Sequence, residues 1–263
     1  MSGAAGHADE PTGPPRWWLN FRLAASFLTL LPLGPRAIVP ARVNMESFGF
    51  FPAVGFAIGA ALALEDRALA HLFGNSVRSL LVIGSAAVLT GALHIDALAD
   101  TADALGAGRD RVRALEIMRD SRIGVFGAFA VALWLALEWS ALASLHGTQR
   151  AIALYAAFGL SRWTMLVTAW HMDYLRPAGA GSFLSRDSEP LNLRRACLLT
   201  ATALIPVLTW RTWSELLLAA TLALAARGFY RRWLGGVTGD TIGAAAVVVE
   251  AAVLVAATAH PLR

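Results

Sequence analysis

The chain has 263 residues, of which 57% are apolar and only 15% charged, and its mean hydropathy of +0.56 is higher than a water-soluble domain needs. All 22 basic residues are arginine and the formal net charge is +4, but the arginines sit between apolar runs rather than on a nucleic-acid-binding face. A single cysteine, Cys197, excludes an intrachain disulfide and a thiolate metal cluster, and reads as a small core residue.

Residues 1–16, rich in Gly and Pro, read as a disordered tail, and 17–263 as a single helical membrane domain. Trp17, Phe21, Ala24, Ala25 and Leu28 follow helical spacing, and paired tryptophans suit the headgroup level, so Trp17 to Leu31 reads as an interfacial helix rather than a signal peptide. Seven apolar runs then approach the roughly 20 residues that cross a bilayer: about 46–64, 77–93, 123–145, 150–170, 195–210, 213–230 and 241–260. The fifth and sixth are short and separated only by Arg211 and Thr212, which also fits a tight hairpin or one poorly divided unit. The fold class expected is all-α, a polytopic integral membrane protein without internal repeats. With the N-terminus inside, fifteen arginines fall on that side and five on the other, which places the N-terminus in the cytoplasm and the C-terminus outside.

The polar residues are concentrated. HIDALADTADALGAG, His94 to Gly108, sets Asp96, Asp100 and Asp103 at i, i+4 and i+7, within about 60° of one another on a helix. Three like charges on one stripe repel, and each costs roughly 2.5 to 3.5 kcal/mol near mid-bilayer, so a divalent cation is the simplest compensation. Oxygen ligands alone point to a hard ion such as Mg²⁺, which takes one or two carboxylates and completes its shell with water and phosphate. A solvated amphipathic segment is the competing reading. His94 points to the other side of an ideal helix from Asp96, as a capping or interfacial residue would.

GRDRVRALEIMRDSRIG, Gly108 to Gly124, puts Arg109, Arg113, Glu116 and Asp120 on one helical face, either a solvated ion-paired helix or part of a phosphate clamp. Arg119 and Arg122, flanking Asp120 and Ser121, fit the clamp best, with Asp120 as metal ligand or base. YLRPAGAGSF offers a flexible backbone after Arg176, suited to an anion or simply an interhelical loop. In LGGVTGDTIGA, Thr238 or Asp240 is a good N-cap for the last span, aiming its positive end at the same side. Arg162, near the middle of the fourth span, requires an intramembrane partner or a polar cavity. Acids, arginines, glycines and a helix N-terminus converging on one face describe a phosphate-handling site.

These residues resemble a known family. HIDALADTADALGAGRDRVRALEIMRDSRIGVFG is similar to the signature of the cobalamin synthases (adenosylcobinamide-GDP ribazoletransferases) over about 34 positions, and FLTLLPLGP, FPAVGFAIGA, SRW, RPAGAGSF and GGVTGDTIGA match in the same order. Ala97 and Ala104 stand where the family usually has glycine, and Leu30 replaces an arginine common in its FLTRLP motif. The resemblance implies a multi-pass enzyme of the bacterial inner (plasma) membrane, active on its cytoplasmic side and dependent on Mg²⁺. Its substrates would be adenosylcobinamide-GDP and α-ribazole, or α-ribazole 5'-phosphate, with GMP released. Its partners would be these small molecules and the lipid bilayer, not nucleic acid, and a homo-oligomer is left open. On this reading Asp96, Asp100 and Asp103 hold the metal, while Arg119, Arg122, Asp103 and Asp120 are catalytic, one of the two acids accepting the proton. His94, Arg109, Arg162, Arg176, Gly236, Thr238 and Asp240 bind substrate. A CDP-alcohol phosphotransferase is the nearest alternative, but its Asp-Gly and Ala-Arg pairs are missing. A cation-coupled transporter is the alternative from another class, with Asp96, Asp100 and Arg162 serving an ion pathway.

Overall fold

The computed structural model describes residues 15–34, 46–176 and 190–259. The expected disordered tail, apart from Pro15 and Arg16, and the glycine-rich stretch after Arg176 lie outside the described residues. Among those described the protein is helical, with ten α-helices and no strand beyond an isolated bridge between Tyr174 and Val237.

Helix α1 (Arg16–Leu28) buries Ala24, Ala25 and Leu28 and leaves Trp17, at the other end of the same face, exposed. A 3-10 turn at Phe48–Phe50 leads into α2 (Phe51–Leu69), where Phe51 stacks on Phe27 with ring centres 5.3 Å apart. There follow α3 (Asn75–Leu89), α4 (Leu93–Leu105), α5 (Arg111–Ile117), α6 (Val125–Ser144) and α7 (Gly147–Ala169). The chain ends with α8 (Pro190–Leu204), a 3-10 turn at Ile205–Val207, α9 (Trp210–Trp233) and α10 (Gly239–Ala257).

A helix therefore occupies each of the seven apolar stretches, but they are not equivalent. The 3-10 turn with α2, and α6, α7 and α10, are long and apolar enough to cross a bilayer. A fifth crossing is formed if α3 and α4, bent 90° to each other, are taken together. α8 is 15 residues long, about 22 Å of helix, and α9 has the length but carries Arg211, Glu215, Arg227, Arg231 and Arg232. The protein is an all-α polytopic membrane protein.

α7 is the hub. It packs against α2, α8, α9 and α10, and 72% of its apolar window is buried, against 28% for α6, whose Val125, Phe126 and Phe129 face outward. Close approach of α2 to α7 rests on Gly55 and Gly59, a G-x-x-x-G pair. A Cβ on Gly59 would lie 2.6 Å from the Leu154 carbonyl oxygen, and one on Gly55 would run into that of Phe158. On the facing helix Ala153, Ala156, Ala157 and Gly159 keep the surface low, and Phe56 lies over Gly159. Without a hydrophobic drive between helices in lipid, such backbone contact carries the association.

Replacing Gly55 by Val is expected to force α2 off α7 and lower the thermal midpoint in detergent, overpacking costing about 1–3 kcal/mol. Gly84→Ala, where a Cβ meets nothing within 4 Å, is expected to leave the midpoint unchanged.

Candidate active site

The acidic stripe does not continue α3. At Gly91 and Ala92 the backbone takes φ values of +62° and +53°, and α4 leaves at 90°. α4 thus lies across one end of the bundle, the end where α6 and α10 begin and α7 finishes. Ala97 and Ala104 on one flank and Ala99 and Ala102 on the other are buried. Two glycines let its neighbours close in: a Cβ on Gly243 of α10 would lie 2.7 Å from that of Ala97, and one on Gly127 of α6 2.9 Å from the Ala99 carbonyl oxygen.

The three aspartates then separate in role. Asp96 is exposed and Asp100 half-buried, and neither accepts a hydrogen bond among the described residues. Asp103 is committed: its Oδ2 accepts from the backbone N–H of Gly124 at 2.7 Å and its Oδ1 from that of Gly127 at 2.8 Å. α6 starts behind Gly124, which has no side chain to cap it, and Asp103 supplies the missing acceptor from another helix. A Cβ on Gly124 would come within 2.5 Å of that carboxylate.

The third acid of the cluster comes from α10. Thr238 caps this helix in a reciprocal box with Thr241, at 3.2 and 2.9 Å, which confirms it as the N-cap and fixes Asp240 in the first turn. Asp240 pairs with Arg176, whose Nη2 also donates to the Met118 carbonyl at 3.1 Å. Asp96, Asp100 and Asp240 are close enough for their charges to repel, with the Arg176 guanidinium attracting Asp100 and Asp240. The segments carrying Arg176 and Asp240 are stitched by Leu175 N–H to Val237 O, 2.9 Å, and Val237 N–H to Asp173 O, 2.8 Å. Gly236 is needed for that approach, since any Cβ there would strike the Asp173 carbonyl.

The basic stretch is shorter than its periodicity suggests. α5 covers only Arg111–Ile117, capped by Asp110, whose carboxylate accepts from Arg113 N–H at 3.0 Å, so Arg109 and Asp120 fall outside the helix rather than on one face with Arg113 and Glu116. Asp120 and Arg122 pair with each other, Nη2 to Oδ2 at 2.6 Å, and the guanidinium holds the Asp120 carboxyl down at about 2. Arg109, Arg119 and Arg122 are exposed at this end.

His94 and Arg162, expected to meet substrate, are enclosed, 5% and 2% exposed, behind the stripe. The intramembrane partner of Arg162 is Glu250 on α10, with Ser161 Oγ bridging to the same carboxylate at 3.1 Å. Glu138 and Trp134 of α6 join them around a cavity of about 20 Å³, room for one water. Glu138 and Glu250 were readable in the sequence as acids inside apolar spans, the same signal that singled out Arg162. Among the described residues no three His, Cys, Asp or Glu side chains gather closely enough to hold a metal by themselves.

Fold and site together define a polytopic helical membrane protein with a carboxylate and arginine site at one end of its bundle. The sequence matches the family described as Cobalamin-5-phosphate synthase over residues 20–258. It is 39% identical over 244 residues to an adenosylcobinamide-GDP ribazoletransferase of Syntrophobacter fumaroxidans, covering 91% of this chain and 98% of the relative. A protein of the same description from Stutzerimonas stutzeri is 40% identical over 245 residues, 90% and 96% of the two chains. One from Bradyrhizobium diazoefficiens is 36% identical over 248 residues, 92% and 94%. No solved structure matches. The chain belongs to the Cobalamin-5-phosphate synthase family.

Asp103→Ala is expected to lower stability by about 1–2 kcal/mol through loss of the α6 cap, and Asp100→Ala is not. Thermal unfolding of both variants in one detergent checks this, and equal midpoints would show that the Asp103 contacts carry no cap.

Proposed function

We propose that the protein joins adenosylcobinamide-GDP to α-ribazole, or to α-ribazole 5'-phosphate, giving adenosylcobalamin or its 5'-phosphate and GMP. The observation that carries the reading is the pair Asp96 and Asp100, which accept no hydrogen bond among the described residues, on a helix laid across the bundle end and faced by Asp240 and Arg176. Uncompensated carboxylates held together suit a cation and a phosphate-bearing substrate.

The donor set fits Mg²⁺ held by Asp96 and Asp100, an ion that needs only one or two protein carboxylates. Bound there, it would neutralise the donor pyrophosphate and polarise its phosphorus. Asp103, expected as a third ligand, is better supported as the residue that fixes α4 against α6. A ribose hydroxyl attacks the cobinamide-linked phosphorus, a new phosphorus–oxygen bond forms, and the bond to the GMP phosphate breaks with its electron pair leaving on GMP. Exposed Arg109, Arg119 and Arg122 are placed to draw the phosphates in and neutralise charge on the departing GMP. The hydroxyl proton passes to a carboxylate of the same face. Asp103 and Asp120, whose oxygens already accept hydrogen bonds, are weaker acceptors than Asp96 and Asp100, which accept none among the described residues. Arg176 is tied to Asp240 and Thr238 caps the α10 N-terminus, while His94 and Arg162 support the site from behind. The arginine bias supports a cytoplasmic site in a bacterial inner membrane.

Purified protein in liposomes, given adenosylcobinamide-GDP and α-ribazole, is expected to release GMP with Mg²⁺ and to stop with excess EDTA. Asp100→Asn is expected to lose about a hundredfold or more in kcat while keeping the wild-type thermal midpoint. A folded protein that releases no GMP with any divalent cation would overturn the assignment.

A further inference from the structure

The bundle end opposite the acidic site carries a charge imbalance. Near the end of α2 the Oδ1 of Asp66 receives two guanidiniums: Arg150 through Nε and Nη2 at 2.9 and 2.7 Å, and Arg78 through Nε at 2.8 Å. Arg150 is fully buried, and Arg78 and Asp66 are each 7% exposed. One carboxylate cannot neutralise two arginines, so the triad keeps a net positive charge out of water. The remaining contacts are neutral: Asn75 Oδ1 for Arg78 at 2.9 Å, and Ser79 Oγ at 3.1 Å with the Leu142 carbonyl for Arg150. Glu65, the neighbouring acid, accepts from Ser85 at 2.6 Å and does not line this region.

Asp66 and Arg78 form part of the wall of a cavity of about 700 Å³ between α2, the start of α7 and the turn at Ile205–Val207. Arg67 and His71, both exposed, add further basic groups, while Ala63, Leu64 and Ile152 make an apolar flank. Leu64 and Leu72 beside it are 70% and 73% exposed, as side chains meeting hydrocarbon would be.

We propose that this cavity binds an anionic phospholipid, its phosphate against the Arg78–Asp66–Arg150 triad and Arg67, its chains along the Ala63–Leu64 flank. Unbalanced buried charge calls for an anion, the cavity volume falls within the range of ligand sites, and basic pockets between spanning helices hold lipid headgroups on the cytoplasmic side, a charge chemistry these arginines offer at the opposite end. A soluble phosphate would answer the charge but leave the apolar flank bare.

The test uses full-length protein freed of lipid in detergent, with thermal midpoint and native mass spectrometry as readouts. Phosphatidylglycerol is expected to raise the midpoint and stay bound, whereas phosphatidylcholine and glycerol 3-phosphate do neither. Arg67→Gln is expected to weaken phosphatidylglycerol binding about fivefold, and Ala63→Trp to block it by filling the flank. Arg78→Gln, which leaves Asp66 and Arg150 matched one to one, is expected to abolish the preference for the anionic lipid. Should that variant not fold, Arg67→Gln and Ala63→Trp still decide. Equal responses to the two lipids, wild-type binding in both of those variants, or a full response to glycerol 3-phosphate alone would each overturn the proposal.

Discussion

Charge in hydrocarbon costs a few kcal/mol per group unless it is paired or removed to the surface, and both solutions are used here. Inside the bundle Arg162 meets Glu250, and Arg150 and Arg78 share Asp66. Among the described residues the acids of the stripe have no such partners, and had α3 simply continued they would have followed it along the span's axis. Instead the left-handed residues Gly91 and Ala92 turn the chain through 90°, so the same aspartates stand at the end of the bundle. The broken helix and the site are one feature.

A helix lying across a bundle end has little to hold it, which is why its neighbours are so closely fitted. Gly243 and Gly127 bring α10 and α6 against Ala97 and Ala99, and Asp103 pins α4 to the first N–H groups of α6. Asp96 and Asp100 are therefore carried on a regular element, with Asp103 of the same stripe spent on anchoring it. Precision of this kind, with one carboxylate sacrificed to place two others, is what positioning a pyrophosphate demands.

Apolar runs located the spanning helices within a few residues, because hydropathy averaged over a long window is insensitive to detail. The convergence of polar segments on one end was equally legible, since it follows from alternation of crossings. What periodicity could not show was division of labour among like residues. Asp96, Asp100 and Asp103 are equivalent on a helical wheel, and only the N–H groups of Gly124 and Gly127, 21 and 24 residues away, make Asp103 different. Arg109 and Asp120 share a face with Arg113 on paper, but the short α5 stops before Asp120 and begins after Arg109. Helix α9 departs the other way: its apolar run, read as a short segment over 213–230, is extended by the fold to a full 24-residue helix against α7 and α10.

The burial of Arg162 changes what that residue can do. It is on α7, its partner Glu250 is on α10, and the cavity they border is closed by His94 of α4 and Glu138 of α6. Two carboxylates and one guanidinium in so small a space are poor value as stabilisation, since buried pairs seldom outweigh their desolvation. They are sensitive, however, to register. Rotating α7 or α10 by one residue, about 100°, would carry Arg162 or Glu250 away from the other and leave a charge unpaired in the membrane. Because His94 precedes Asp96 by two residues on the same helix, the orientation of Asp96 and Asp100 is tied to that of the central pair. Arg162, singled out in the sequence as a substrate contact, is enclosed with Glu250 where α4, α6, α7 and α10 meet, behind the acidic face rather than on it.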